Sequence, residues 1–94
     1  MVLLDLLGRR WALRVLWELR EGGDPTFREL QARCGGISSS VLSERLRELR
    51  AVGIVAERSG RGYRLSDEGR SLLEALAPVE AWSRRWGVQA LDGG

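Results

Sequence analysis

Apolar positions along this chain recur at helical spacing, break, and recur again. Trp11, Val15 and Leu19 stand four apart, and Ala12, Leu13 and Leu16 broaden their stripe, which predicts a helix from Trp11 to Arg20. Before it, Leu3, Leu4, Leu6 and Leu7 make a short apolar helical turn that Gly8 loosens. Glu21-Gly22-Gly23-Asp24-Pro25 stops the helix and turns the chain. Thr26 reads as the N-cap of a second, two-turn helix, with Glu29 as its capping-box partner and Gly35-Gly36 as its end. Ser38-Ser39-Ser40 offers N-cap chemistry again, and Leu42, Leu46 and Leu49 form the buried stripe of a third helix ending near Val52, with Gly53 as its C-cap.

The period then changes from helical to alternating. Ile54 to Arg58 reads as a strand, Ser59-Gly60-Arg61-Gly62 as a tight turn and Tyr63-Arg64-Leu65 as the returning strand. Ser66 caps a last helix, with Asp67 and Glu68 at its positive end. That helix is expected to run to about Val88 or Leu91, bent or interrupted at Pro78 and tolerating Gly69 at some cost. The fold class is mainly α with a small β-hairpin. Two short helices joined by a glycine turn and followed at once by a hairpin make a winged helix-turn-helix, a single domain over residues 1–94.

This order locates the chemistry on the segment Ser38 to Val52. On a helical wheel Ser40, Ser43, Glu44 and Arg47 oppose the leucine stripe, and Ser39 sits at the exposed N-terminus. A recognition helix puts its N-terminal polar residues into the major groove of double-stranded DNA. Small serines allow close approach, Arg47 can reach a guanine edge or a phosphate, and Glu44 can accept from a cytosine amine. Ser38 belongs to the same N-terminal cluster. Arg45 and Arg50 flank the stripe and are expected to touch the DNA backbone. Thr26 and Arg28 open the second helix, whose N-terminus suits a phosphate. Arg58, Arg61 and Arg64 charge the hairpin, with Arg61 at the tip aimed at the backbone or the minor groove.

Composition changes this picture in a few places. The chain has 94 residues and no histidine, which removes the commonest general base and metal ligand, so neither an enzyme nor a cofactor is expected. Cys34 is alone and can form no intramolecular disulfide. Val2 to Leu7 is too short to span a bilayer, which takes ~20 helical residues, and lacks the marks of a secretory signal, so a soluble cytoplasmic protein without membrane contact is expected. The net charge of +2 pushes only mildly toward polyanions. Every basic residue is arginine, a bias that the codon usage of a G+C-rich genome accounts for in large part.

The apolar surplus points to a second copy. Leu76, Val79, Trp82 and Trp86 continue one face of the last helix beyond Leu72, and Leu3, Leu4 and Leu7 add to it from the N-terminus. That is more apolar surface than a small three-helix core covers, and a two-fold dimer through both termini would bury it. Trp11 and Trp17 read as core or core edge.

Leu7-Gly8-Arg9-Arg10-Trp11 with Val15-Leu16-Trp17-Glu18-Leu19 resembles the opening helix of HxlR-type transcriptional regulators. Phe27-Arg28-Glu29-Leu30 is similar to their second helix. Gly36-Ile37-Ser38, Val41-Leu42-Ser43, Arg45-Leu46-Arg47-Glu48-Leu49 and Gly53-Ile54-Val55 are similar to their recognition helix and the residues directly after it. Tyr63-Arg64-Leu65-Ser66 and Glu68-Gly69-Arg70 resemble the segment after the wing. The resemblance implies a bacterial homodimeric regulator with dimer contacts through the first and last helices, on a pseudo-palindromic operator whose half-sites lie about one or two helical turns apart. The chain departs from the family at Arg10, where a lysine is usual, in a shorter wing, and in lacking the N-terminal thiol of its redox-sensing members. MarR-like and PadR-like regulators share the architecture. Two alternatives remain beside this one: a winged-helix protein-interaction module without DNA binding, and a repressor answering to a small-molecule effector held between the first and last helices.

Overall fold

The computed structural model describes residues 2–92, with side chains from 4 to 87. The elements are α1 (Val2–Leu7), α2 (Ala12–Leu19), α3 (Phe27–Cys34), α4 (Ser39–Ala51), β1 (Val55–Glu57), β2 (Tyr63–Leu65) and α5 (Asp67–Asp92). The order is the expected one, with local shifts. Trp11 lies just outside α2 as its N-cap, in the left-handed region at φ 78°, and offers no side-chain cap. The strands are three residues each and pair antiparallel, with Val55 opposite Leu65 and Glu57 opposite Tyr63.

The core forms where the stripes of the first helices meet. Val15 and Leu16 of α2, Leu30 of α3, and Leu42 and Leu49 of α4 are fully buried. Ile37, Ile54, Val55 and Leu65 close the core from the helix-turn-helix corner and the hairpin. Leu6 of α1 is also buried, whereas Leu4 on the same helix is 60% exposed.

α5 passes through Pro78 without the interruption that was one of the two expectations there. A proline removes a single N–H, and the carbonyl it would have served, that of Glu74, belongs to an exposed residue where water can reach it. Among the described residues no helix is long and apolar enough to cross a membrane.

Gly69 is more than tolerated. The start of α5 is stitched to the end of α4's connection: the Ser66 amide donates to the Ile54 carbonyl at 3.0 Å, and the Ser66 hydroxyl caps the helix by accepting from the Gly69 amide at 3.1 Å. That stitch brings the Ile54 carbonyl so close that a Cβ on Gly69 would lie 2.3 Å from its oxygen, with the Leu65 side chain at 3.2 Å. Helix propensity alone favours alanine here by about 1 kcal/mol. Contact with an immobile carbonyl outweighs it, so Gly69→Ala is expected to destabilise the protein by about 1–3 kcal/mol in urea unfolding. A variant as stable as wild type would show that α5 can shift off β1 at no cost.

Candidate nucleic-acid interface

The geometry of the helix-turn-helix is set by two left-handed glycines and one serine. Gly35 and Gly36, at φ 63° and 100°, turn the chain out of α3 where a side chain would be strained. Ser38 then starts α4 by accepting from the Val41 amide at 3.2 Å, with the Ser40 hydroxyl 3.3 Å away. Since Leu42, Leu46 and Leu49 are no more than 2% exposed, the rotation of α4 about its axis is fixed. The face thereby turned outward carries Ser39, Ser40, Ser43, Glu44 and Arg47, all exposed.

Arg45 departs from the expectation. It is the one buried charged side chain among the described residues. Its Nε donates to the Arg10 carbonyl at 2.9 Å, and another guanidinium nitrogen donates to the Glu48 carboxylate. A helical wheel puts it beside the stripe and aims it at DNA. In the fold α2 and the segment before it cover that flank, and Arg45 is spent inside the protein. Arg50 stays at the surface and pairs with Glu57 at 3.5 Å.

The N-terminus of α3 has both capping-box bonds in place at 3.2 Å, from the Glu29 amide to the Thr26 hydroxyl and from the Thr26 amide to the Glu29 carboxylate. The Thr26 amide holds the Glu29 carboxyl below its ordinary value, so an anion already serves this helix end. The Thr26 hydroxyl keeps its proton to donate, and Arg28 is exposed next to it.

The wing is held from below by a residue that sequence reasoning read only as part of a helix stop. Asp24, at φ 46°, accepts from Arg64 through two bonds at 3.1 and 2.9 Å and from Arg58 at 3.3 Å. The Arg64 guanidinium, above all, pulls the Asp24 carboxyl below its ordinary 3.8. The Tyr63 amide donates to the Pro25 carbonyl at 2.9 Å, and Gly62 sits so tightly on this loop that a Cβ would meet the Asp24 carbonyl oxygen. Two of the hairpin's three arginines thus share the Asp24 carboxylate at its base, and the exposed Arg61 remains at the tip. Among the described residues Arg10, Arg28, Arg33, Arg47, Arg61 and Arg85 enter no ion pair; of these, Arg28 stands at the start of α3, Arg47 on the outer face of α4 and Arg61 on the wing.

A serine-faced helix behind a glycine turn, followed by a pinned hairpin with one free arginine, is the arrangement of a DNA-reading domain. The family model described as HxlR-like helix-turn-helix matches residues 6–90. The chain belongs to the HxlR-like family. It is 34% identical over 89 residues to the HTH-type transcriptional regulator YvaP of Bacillus subtilis, covering 88% of this chain and 82% of that one. It superposes with TM-score 0.79 and 29% identity on a possible HxlR family transcriptional factor from Thermoplasma volcanium, covering 97% of this chain and 82% of that one. Quinone-bound YodB from B. subtilis matches with TM-score 0.78 and 31% identity, over 86% of this chain and 90% of that one. This HxlR-like chain is a DNA-binding transcriptional regulator.

The residues expected at a dimer contact separate into two groups. Leu4, Val79, Trp82 and Trp86 are 54 to 60% exposed, and the rings of Trp82 and Trp86 stack at 5.9 Å with planes 8° apart. Leu7 is half-buried against the protein's own core, Leu76 is half-buried, and the side chain of Leu3 lies outside the described residues. Trp11 is a core-edge residue as expected, while Trp17 is 37% exposed with the Arg20 guanidinium 3.9 Å over its ring. Cys34 is 2% exposed; burial first, and then the Glu18 charge, push its thiol above the ordinary value, opposite to a poised thiolate.

The Asp24 anchor carries a pH signature. Because the folded pKa is depressed, its stabilisation is present above 3.8 and is lost as pH falls through the lower folded value. Asp24→Asn is expected to lower the urea midpoint at pH 7 and to speed amide exchange at Tyr63. The gap from wild type should close as the pH drops below 3.8. Equal midpoints at pH 7 would mean that the wing stays seated without the carboxylate.

Proposed function

We propose that this regulator binds a pseudo-palindromic operator as a homodimer, with the outer face of α4 in the major groove of each half-site. The observation that carries the reading is the exposed Ser39, Ser40, Ser43, Glu44 and Arg47 face, with Arg28 and Arg61 unpaired on either side of it in the fold. Serine hydroxyls and Arg47 would read base edges, Glu44 would accept from a cytosine amine, and Arg28 with the Thr26 hydroxyl and Arg61 would hold phosphates. Ser38 acts through the capped start of the helix. The same reading takes residues 1–94 as one winged helix-turn-helix domain, working in the cytoplasm and not as an enzyme.

Selection of bound duplexes from a random library, with sedimentation of the complex, tests this directly. The expected product is a two-fold related sequence bound by two chains, with half-sites about one or two helical turns apart. Recovery of no preferred sequence, or a single unrepeated site, would overturn it. On the selected duplex Arg47→Ala should cost about 1–3 kcal/mol and relax preference at one position of each half-site. Arg28 and Arg61 on phosphates give four such contacts in a dimer, so log Kd against log salt should have a slope of roughly 4. A slope near zero would reject the phosphate roles of Arg28 and Arg61.

The dimer reading rests on the stacked Trp82 and Trp86 with Val79 and Leu4, an exposed apolar set that a partner would cover. The double substitution Trp82→Ser with Trp86→Ser is expected to give a folded monomer by sedimentation, with operator affinity reduced by more than tenfold. A dimer that survives it would place the contact elsewhere.

One observation favours an added effector response. Between α2 and α5 runs an open groove of about 650 Å³, floored by Leu13, Trp17, Leu73 and Leu76 and rimmed by Arg14 and Glu80. Its size suits a small apolar ligand, and it shares Val79 with the dimer surface. A quinone is bound to the similar YodB. Quenching of tryptophan fluorescence by a ligand that also changes operator affinity would establish the response.

A further inference from the structure

Arg45, the residue displaced from the expected DNA surface, has company. Its Nε holds the Arg10 carbonyl at 2.9 Å, and its terminal nitrogen holds one oxygen of Glu48. The other oxygen of Glu48 pairs with Arg9 Nε at 3.2 Å. Glu48 and Arg45 belong to α4, the helix with the outer serine face, whereas Arg9 and Arg10 form the joint between α1 and α2. A buried guanidinium is seldom the most stabilising choice, since a well-packed apolar side chain often does as well. What the guanidinium adds is direction: it ties one backbone carbonyl and one carboxylate at fixed geometry.

The joint it grips is also held by the Gly8 and Arg9 amides, which donate to the Leu4 and Leu6 carbonyls at 2.9 and 3.1 Å, and by Leu7 and Trp11, which pack half-buried on the core. Trp11 is left-handed, and the Ala12 amide reaches back to the Arg9 carbonyl at 3.1 Å. α1 is six residues long, and among the described residues Leu6 is its one buried side chain. Between α1 and α4 lies a groove of about 460 Å³ lined by Asp5 and Arg9 on one side and by Glu44, Arg47 and Glu48 on the other. Two of those, Glu44 and Arg47, belong to the proposed base-reading face. The position of α1 therefore bears on that face both across the groove and through the ion pairs.

We propose that Arg9, Arg45 and Glu48 are positioning residues that couple the seating of α1 to the set of α4, so that what packs on α1 alters DNA affinity. The coupling to affinity rests on the reading of α4 as the DNA-facing helix; the tie between α1 and α4 does not. It makes Leu4, exposed on α1, part of the control of binding and not only of assembly.

The test uses the full chain and the duplex recovered by selection. Arg9 is at the surface, with 55% of its side chain exposed, so Arg9→Gln is expected to fold. Arg9→Gln and Glu48→Gln should each weaken binding about three- to tenfold, and the double variant should be no worse than the weaker single. The salt slope should stay that of wild type, because no phosphate contact is lost; a slope reduced by about two in Arg9→Gln, one for each chain of the dimer, would make Arg9 a phosphate ligand and overturn the proposal. Losses that multiply in the double variant would overturn it as well. Without DNA, amide exchange at Arg9 and Ala12 should quicken in Glu48→Gln while exchange in the α2 core is unchanged. If wild type fails to bind any duplex, the DNA reading fails, and the exchange measurement alone still decides whether Glu48 holds the joint. Arg45→Met, which keeps the packing and removes the tie, should match Glu48→Gln in affinity and remain folded; wild-type affinity in Arg45→Met would overturn the proposal.

Discussion

The burial of one leucine stripe governs most of what this domain can do. Leu42, Leu46 and Leu49 leave no freedom for α4 to turn about its axis, since a rotation exposing them would return about 1.5–3 kcal/mol of burial per side chain to water. The helix is thereby part of the core and part of the surface at once. The position of the leucines dictates which residues face outward, and with them the serine character of that face and the inward turn of Arg45. The α3–α4 glycine turn, the β1 connection and the start of α5 are all arranged around a helix that is already fixed in rotation.

Charge is distributed by the same logic of position. Fifteen arginines against thirteen acids give almost no net field, so the sum says little about a polyanionic partner. The pairing says more. Asp24 takes Arg58 and Arg64, Glu48 takes Arg9 and Arg45, and Glu18 takes Arg14. These acids do structural work, anchoring the wing, the α1–α2 joint and the surface of α2. Most exposed pairs of this kind contribute little to stability, but they decide which guanidiniums remain free. A basic residue without an internal partner keeps its full attraction for phosphate.

The element order was legible in the sequence because each helix carries its own stop and start: Gly22-Gly23-Asp24-Pro25 before Thr26, Gly35-Gly36 before Ser38, and Ser66 before α5. The outer face of α4 was legible for the same reason, since its leucine spacing leaves one possible inside. Contacts between elements distant in sequence could not be read. Asp24 is forty positions from Arg64, and Arg45 is thirty-five from the Arg10 carbonyl. A wheel assigns Arg45 to a flank but does not know that the α1–α2 joint lies over that flank. Gly69 reads as a mild defect in a helix because the Ile54 carbonyl that forbids a side chain there approaches from another element. Pro78 reads as a break because a pattern does not register that the freed carbonyl belongs to an exposed residue.

A near-neutral reading helix shifts the burden of affinity onto geometry. Arg28, Arg47 and Arg61, spread over α3, α4 and the wing, act together only if those elements keep their relative positions. Asp24 under the wing, the capping box at α3 and the Arg45–Glu48 pair at α4 each tie down the element that carries one of them. Loss of one anchor does not remove a cation; it lets the cation wander, so that ordering it again must be done at the DNA. In the proposed dimer, two chains held rigidly to one another would bind far more than twice as well as one, because the second half-site would be met at high effective concentration. In such a dimer, assembly counts as strongly as the serine face of α4, and the proposed α1 coupling is where the two demands would meet.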